Sequence, residues 1–499
     1  MTAISNIYLI IFLPLISSLF CQLFGKKFLS FWITFASCAL TFLLTLKILP
    51  DVLIFEKISN DFELSPLSLA LEFRLDVLGV IFLLLLIFLK IVILFYYRID
   101  IEKVLDESGR KIFYSVYLLH LFALVGIFTT NNLLNLFLFF EIYGMAFFAT
   151  SSISKNLKIS KLSFKYFCLN ATSSLIILFC FLTIYLAFGE INFSKIGEVF
   201  AVKAVANSWF LASILLLLSC AFVIKFFPFW LYFENLKSTN LIASFISIDS
   251  LFIKTNVGIF IILKFLYFFF GSNLIFTQFD FAPFFILFSL ILIFYSAFKL
   301  YQQKHLKLIV AYLCLNNLGF IFACLALQTI ESLQALFFYL LNFSLVNFFI
   351  FIFATFLKRY FKTSSITAIS MIRKNDLLLV LPLKLVIFFI AAFPLSTLFF
   401  ANWYLAYTSF TFGFEAFLLI GIILSNFVHV NLAIKLVVAL FKKESRANRQ
   451  MPVLGVKKYN FYLLSFWFLI ATIYLSSIAC GLTNGVSLRF ALFLLSNTI

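Results

Sequence analysis

The chain consists of long apolar runs separated by short polar loops. Because a helix needs about 20 mostly apolar residues to cross the hydrocarbon core of a bilayer, each run predicts a membrane span. The runs predict fourteen spans, at 7–24, 29–49, 75–97, 113–129, 132–152, 164–188, 208–231, 241–270, 282–300, 306–328, 331–357, 377–405, 409–441 and 460–482. Since no long soluble segment interrupts them, we predict an all-α polytopic protein with one membrane domain, residues 1–499.

Basic residues are concentrated in every second loop between the predicted spans. The odd-numbered loops carry most of the Lys and Arg, whereas some even-numbered loops, such as 271–283, carry none. The positive-inside rule then predicts cytoplasmic odd-numbered loops in a cell inner (plasma) membrane protein, with both termini on the outer face. The most basic loop, 442–458, is either a topology determinant or a contact for anionic lipid or a partner subunit.

The composition excludes an ordinary soluble protein, because only 11% of the residues are charged, against about 25% in soluble domains. The net charge of +17 comes from the basic loops, so no nucleic-acid partner is predicted. The first run, 7–24, lacks a basic leader and a small-residue cleavage site, so we expect a retained span.

Motifs for metal or cofactor chemistry are missing from the sequence. The eight Cys lie in apolar runs without a CxxC motif, and the three His are far apart, so neither a metal centre nor a disulfide is predicted. The sequence also has no nucleotide-binding Gly-rich loop, so it gives no indication of an enzyme that acts alone. We therefore expect no cofactor.

Three ionisable residues stand out inside predicted spans, where a charge costs about 2.5–3.5 kcal/mol on insertion scales. Glu141 lies near the middle of its run, too deep for a short side chain to reach the interface. Lys225 precedes Pro228 by three residues, and proline breaks helices, which membranes tolerate where the break faces protein or water. Lys254 lies in a later span. The structural alternative for Glu141 is a carboxylate buried for packing. For the lysines it is a long side chain that reaches the membrane–water interface.

Asp249 precedes Lys254 by five residues. In an α-helix this spacing is a rotation of about 500°, so we expect the two side chains to face different ways and Lys254 to pair with another helix. A buried acid with buried lysines suits a charge-coupled proton relay: the lysine holds the carboxylate ionised, and protonation of the carboxylate releases the lysine.

The segments around these residues resemble the antiporter-like membrane subunits shared by respiratory complex I and the Mrp-type cation/proton antiporters, most of all the Mrp D subunit. LNLFLFFEIYGMAFFAT is similar to the family's fifth helix, whose glutamate corresponds to Glu141. AFVIKFFPF and LFIKTNVGIFIILKF resemble the seventh and eighth helices, whose lysines correspond to Lys225 and Lys254. QKHLKLIVAYLCLNNLGF resembles a further family pattern that includes Lys307, and FRLDVLGVIF resembles the third helix, with Asp76.

The resemblance implies about fourteen transmembrane helices with two inverted repeats, residues 113–270 and 282–441. Each repeat would contain one broken helix, with the breaks at Pro228 and Pro394. Together the repeats would supply a hydrated polar axis along the membrane plane.

The resemblance also implies a proton relay. Glu141 and Lys225 would form a gating pair, and Lys254 would link this pair to the polar axis. His120 and Lys307 would flank the relay, although a packed helix residue is the alternative for His120.

The second half of the chain departs from the family pattern. Asn402 stands where the twelfth-helix lysine belongs, Phe343 where many members have His, and Asn347 where many have Lys. His305 replaces an Asp. Asn402 cannot carry a charge but can hydrogen-bond a chain of water molecules.

Three functions remain open. The first is a D-like subunit of a multisubunit monovalent cation/proton antiporter, moving protons and Na⁺ or K⁺ beside other membrane subunits. The second is a proton-translocating subunit of NADH-quinone oxidoreductase (complex I). The third is a non-translocating structural subunit, which the amides and Phe343 in the second half favour.

Overall fold

A computed structural model describes most of the chain. The described residues are 2–25, 29–55, 57–62, 71–153, 157–193, 195–196, 208–227, 241–269, 282–361, 363–371, 377–394, 396–410, 415–442 and 480–496. The chain divides into two compact units, residues 1–279 with 496–499, and residues 280–495. This boundary falls between the predicted repeats 113–270 and 282–441, whose relation to each other stays a prediction.

The N-terminal unit consists of apolar helices and one pair of β-strands. Its helices are α1 (Thr2–Phe24), α2 (Leu29–Phe55), α3 (Val77–Val104), α4 (Glu107–Thr129), α5 (Leu133–Ser152), α6 (Leu157–Phe188), α7 (Ser208–Phe226), α8 (Leu241–Ile248) and α9 (Thr255–Lys264). Two π-helical segments, π1 (Asp249–Lys254) and π2 (Phe265–Phe269), directly follow α8 and α9.

The strands β1 (Lys57–Phe62) and β2 (Leu71–Asp76) pair antiparallel, with Lys57 opposite Asp76. The apolar runs did not predict this pair, because six-residue strands beside long hydrophobic segments carry little periodic signal. The chain is therefore α-helical apart from this strand pair in the described residues.

Side-chain caps fix where two of these helices begin. The Asp76 carboxylate accepts a hydrogen bond from the Gly79 amide at 2.7 Å, at the start of α3. Asn132 accepts from the Leu134 amide at 2.8 Å, at the start of α5. Such caps satisfy backbone donors that have no partner within the helix. Asp76 is accordingly a helix cap in this structure.

Glycines allow close approach between helices of the N-terminal unit. A Cβ atom on Gly144 of α5 would lie 2.5 Å from Asn170 Nδ2 of α6, and one on Gly258 of α9 would lie 2.6 Å from Phe226 Cβ of α7. Helices in a bilayer associate mainly through van der Waals packing and polar contacts, so small residues mark the tightest interfaces. These glycines bring the helices that carry the buried charges together.

Helices joined by short turns make up the described part of the C-terminal unit. Its helices are α10 (Ala282–Gln302), α11 (Leu306–Leu327), α12 (Ile330–Leu341), α13 (Asn347–Phe361), α14 (Leu377–Ile390), α15 (Thr397–Ser409), α16 (Glu415–Phe441) and α17 (Cys480–Ser496). A π-helical segment, π3 (Asn342–Val346), joins α12 to α13, and a 3₁₀ helix spans Ile366–Met371. Thr329 and Ser332 form reciprocal side-chain caps at the start of α12.

Eleven helices in the described residues are long and apolar enough to cross a membrane, and Ser213–Phe226 and Gly485–Leu495 are shorter apolar helices. The chain is a multi-pass membrane protein. The predicted span at 377–405 is divided, because a turn that contains Pro394 separates α14 from α15, and Pro394 is where the resemblance placed a helix break. Nearly all of the predicted span 460–482 lies outside the described residues, and α17 was not predicted.

Candidate functional site

A buried ion pair joins three helices of the N-terminal unit. Lys225 Nζ of α7 lies 3.1 Å from Glu141 Oε1 of α5. The same Nζ donates a hydrogen bond to Ser174 Oγ of α6 at 2.6 Å, and Ser174 Oγ lies in hydrogen-bond contact with Glu141 Oε1. Two of the residues singled out from the sequence are thus in direct contact, and Ser174 is a third member that the sequence did not indicate.

The two charged partners differ in exposure. The side chain of Lys225 is 1% exposed, whereas that of Glu141 is 25% exposed on the surface of the isolated chain. An isolated lysine at this depth is costly, so the carboxylate is the counter-charge that makes its burial tolerable. Glu141 is accordingly the more exposed member of the pair.

Local packing explains how Ser174 reaches the pair. Gly144 lies one turn after Glu141 and packs against Asn170, one turn before Ser174. This close approach brings the two helix faces together. Ser174 Oγ also contacts the Asn170 carbonyl oxygen at 2.8 Å. Because a hydroxyl has one hydrogen, Ser174 donates either to Glu141 or to its own helix while it accepts from Lys225.

Lys254 is buried beneath aromatic rings. Its Nζ lies 3.7 Å from the centre of the Tyr166 ring and 5.7 Å from that of Phe147, and it has no hydrogen-bond partner among the described residues. Cation–π contact stabilises the ammonium only in part. The expectation that Lys254 contacts other helices holds, but through aromatic rings of α5 and α6.

Asp249 and Lys254 contact different helices, as expected from their spacing. Asp249 lies 3.8 Å from Lys90 of α3 and from His120 of α4, whereas Lys254 lies against rings of α5 and α6. Both residues lie in π1, where the hydrogen-bonding interval is five residues in place of four. This π-helical segment was not predicted, because it is not visible in a hydrophobic pattern.

A second buried charge cluster was missed. Lys90 Nζ of α3 lies 2.7 Å from His120 Nδ1 of α4, and both atoms lie 3.8 Å from a carboxylate oxygen of Asp249. The His120 ring also packs on Tyr143 of α5, with ring centres 4.3 Å apart. Lys90 stands alone in an apolar run, so the criterion that found Glu141 would also have found it.

Lys264 is a further buried lysine in α9. Its ammonium donates to the carbonyl oxygen of Thr130 at 2.6 Å. Thr130 is the C-cap residue directly after α4, so this bond satisfies a backbone acceptor at a helix terminus. We assign Lys264 to the structure of the unit.

Amides and hydroxyls form polar contacts inside the C-terminal unit. Asn402 accepts a hydrogen bond from the Tyr339 hydroxyl at 2.6 Å and donates to Asn426 at 2.8 Å. Asn316 donates to Ser296 and accepts from Ser425, at 3.1 and 2.8 Å. No member of this amide network, Asn402, Tyr339, Asn426, Asn316, Ser296 and Ser425, is charged at neutral pH.

The remaining predicted residues of the C-terminal half are also buried or located in turns. Lys307 is buried near the start of α11, with its Nζ 5.6 Å from the centre of the Phe351 ring. Phe343 and Asn347 are buried around π3. Pro394 lies in the turn before α15, whereas Pro228 lies outside the described residues. Among the described residues, no cluster of His, Cys, Asp or Glu could hold a metal ion.

Comparison with known proteins places this helical architecture in one family. Residues 130–428, more than half of the chain, match the protein-family model described as NADH:quinone oxidoreductase/Mrp antiporter, TM. The chain belongs to this family. It is a membrane subunit of the antiporter-like type shared by Mrp and NADH:quinone oxidoreductase complexes.

One curated relative of this antiporter-like subunit is NADH-quinone oxidoreductase subunit N of Wolbachia sp. subsp. Brugia malayi. The two chains are 26% identical over 308 residues, which are 61% of this chain and 64% of the relative. The match thus spans less than two thirds of the relative's length.

Solved structures share the fold over nearly the whole chain. A chain of the Mrp complex from Dietzia sp. DQ12-45-1b superposes with a TM-score of 0.81 at 16% identity, covering 100% of this chain and 98% of that one. A chain of the membrane-bound sulfane sulfur reductase, an archaeal respiratory membrane complex, has a TM-score of 0.80 at 18% identity and covers 99% of each chain. At these identities the likeness concerns the fold.

Proposed function

We propose that this chain is a D-like membrane subunit of a multisubunit monovalent cation/proton antiporter and carries protons through Glu141, Lys225 and Lys254. The observation that supports this most is the contact of Lys225 Nζ with Glu141 Oε1 at 3.1 Å inside the membrane. A proton arriving on Glu141 removes the counter-charge of Lys225. The ammonium of Lys225 is then free to leave Ser174 and to lose its own proton inward.

In this proposal, Lys254 is the group that accepts the proton after Lys225. It is fully buried and has no hydrogen-bond partner among the described residues, so ordered water has to supply one. Two like charges in one buried region repel, so a proton that stays on Lys225 disfavours one on Lys254. Protonation therefore alternates between the two lysines, which is what a relay requires.

The partners in this proposal are other membrane subunits, together with protons and Na⁺ or K⁺. The partial exposure of Glu141 supports the first point, because a carboxylate facing lipid is unfavourable and a neighbouring subunit would cover it. The likeness to a chain of an Mrp complex supports the same point at the level of the fold.

A second candidate is a proton-translocating membrane subunit of a complex I-like assembly. The match to a subunit N of NADH-quinone oxidoreductase favours it. In this case the same residues carry protons, and redox chemistry in other subunits drives them. A structural subunit that carries no protons is the third candidate, favoured by the neutral amide network of the C-terminal unit.

The test uses the complete complex in everted membrane vesicles. Respiration acidifies the vesicle interior, and a pH-sensitive dye follows the loss of this acidification when Na⁺ or K⁺ is added. Wild type is compared with Glu141→Gln at equal amounts of assembled complex. The control is Glu107→Gln, the same chemical change on an exposed residue at the start of α4.

We expect Glu141→Gln to lower the cation-dependent rate by about a hundredfold or more, since a proton-transfer group typically contributes that much. Glu107→Gln should match wild type. Undiminished transport in Glu141→Gln would rule out the proposed relay and favour the third candidate, a structural subunit that carries no protons. A wild-type complex that assembles but does not respond to either cation would favour the complex I-like candidate.

A further inference from the structure

The relay proposed above does not use a second group of buried ionisable side chains in the N-terminal unit. Lys90 on α3, His120 on α4 and Asp249 in π1 form a closed triad, with Lys90 Nζ 2.7 Å from His120 Nδ1 and 3.8 Å from Asp249 Oδ1. His120 Nδ1 lies 3.8 Å from Asp249 Oδ2. We call these three residues the triad.

The short nitrogen–nitrogen distance limits the protonation of the triad. A hydrogen bond between Lys90 and His120 needs one lone pair, so the two nitrogens cannot both carry a proton along this contact. We assign Lys90 as an ammonium, His120 as a neutral imidazole and Asp249 as a carboxylate, which gives one positive and one negative charge. With this assignment the triad is neutral as a whole and has an acceptor that can take up one more proton.

Three polar atoms in the triad and at Lys254 are left without a hydrogen-bond partner in the described part of the chain. Asp249 Oδ1, His120 Nε2 and Lys254 Nζ are all buried without a hydrogen-bond partner among the described residues. Asp249 and Lys254 are the first and last residues of π1, so the triad and Lys254 belong to the same short segment. Several unsatisfied polar atoms in one buried region are the usual setting for a bound water molecule.

We propose that the triad is a second proton-holding site, which accepts a proton from Lys254 through water and returns it. In this step an N–H bond of the Lys254 ammonium breaks and an O–H bond forms on Asp249 Oδ1. Lys254 becomes a neutral amine and Asp249 a neutral carboxylic acid, so the total charge is unchanged. Lys90 and His120 position Asp249 and keep their own protons during this step. This proposal rests on the proton-carrying role of Lys254.

A purely structural role for the triad predicts a different behaviour. A neutral buried cluster that only fixes helix packing should affect assembly and stability, but not the rate per assembled complex. The experiment therefore measures cation-dependent proton movement in everted vesicles per assembled complex. It compares Asp249→Asn, Asp249→Glu and His120→Gln with wild type. His305→Gln is the control, because it removes an exposed imidazole far from the triad in sequence.

We expect Asp249→Asn and His120→Gln to assemble and to lose about tenfold or more of the rate, as for loss of a proton-transfer group. Asp249→Glu restores most of the rate, because it restores the carboxylate. His305→Gln keeps the wild-type rate. If Asp249→Asn fails to assemble, the transport rate of His120→Gln tests the triad proposal in its place.

Wild-type rates in both Asp249→Asn and His120→Gln would overturn the proposal. A rate in Asp249→Glu as low as in Asp249→Asn would also overturn it, since the carboxylate would then not be the active feature. Glu141→Gln in the same series separates the two proposals. If Glu141→Gln is inactive and the triad variants are active, only the triad proposal fails. If Glu141→Gln is active, the proposed relay fails.

Discussion

The N-terminal and C-terminal units bury different polar chemistry at the same kind of helix interface. The N-terminal unit buries carboxylates, lysines and a histidine in contact with one another, as in the pair Glu141–Lys225 and the triad. Among the described residues of the C-terminal unit, the buried groups that can be charged near neutral pH are those of Lys307, His429 and the guanidinium of Arg359, and most other buried polar side chains carry amides or hydroxyls.

This difference separates two uses of polar groups in a membrane. A hydrogen bond between neutral groups, such as Tyr339 to Asn402, holds helices together without any exchange of charge. A contact such as Lys225 to Glu141 changes strength when one partner gains or loses a proton, so it can respond to a gradient. The fold is maintained through both units, whereas the proposed proton chemistry is confined to the N-terminal one.

The largest effect is expected when the ionisable site is made neutral. Lys225→Met keeps the length of the side chain, removes the charge and leaves Glu141 without its cation, so cation-dependent proton movement should fall by about a hundredfold. Removing one partner of a buried pair typically costs about 3–5 kcal/mol of stability, and removing both costs less. The double variant Glu141→Gln/Lys225→Met should therefore assemble better than Lys225→Met and remain inactive.

Vesicle assays and the yield of assembled complex together check this prediction. Lys161→Met, which removes an exposed lysine of α6, is the matched control and should match wild type. Wild-type transport in the double variant would remove the contrast between the two units.

A smaller effect, on stability and not on transport, is expected in the amide network. Asn402→Leu leaves the Tyr339 hydroxyl and the Asn426 amide without their partner, which costs about 1–3 kcal/mol per buried unsatisfied group. Detergent-induced unfolding of the purified chain should shift accordingly, while transport per assembled complex stays close to wild type. Gln302→Leu, at an exposed amide, controls for loss of the polar group. Loss of transport in Asn402→Leu would place the amide network on the proton path.

The smallest effect is expected for Tyr339→Phe. It removes one hydroxyl and one interhelical hydrogen bond, and such bonds in membranes are worth about 0.6 kcal/mol on average. The same unfolding assay, compared with Tyr407→Phe at an exposed position, should show a difference of this size. A cost larger than that of Asn402→Leu would contradict the assignment of Asn402 as the centre of the network.

Most of the fold follows from one property of the sequence, the length of its apolar runs. Runs such as 306–328 and 132–152 correspond closely to α11 and α5, because a helix is the structure that satisfies every backbone group inside a bilayer. The strand pair before α3 was not predicted, and the division of 377–405 at Pro394 was expected from the family resemblance and not from the apolar run. Short strands and turns depend on contacts with other segments, and these do not appear in a hydropathy pattern.

The candidate site was predicted in part. The depth of Glu141 and Lys225 in their runs singled out both, since an intramembrane charge needs a partner. Ser174 could not be found this way, because Ser in a membrane helix usually bonds to its own backbone, as many serines here do. Its role arises from the close approach of α5 and α6 at Gly144.

The sequence by itself therefore determined the membrane character of the protein, the positions of most helices and the need to neutralise particular charges. These follow from transfer free energies, which depend on each residue and its neighbours along the chain. Only the tertiary structure decided which charges meet: Glu141 with Lys225, and Asp249 with Lys90 and His120. Helix packing sets these contacts, because it brings together residues that lie on different helices and far apart along the chain.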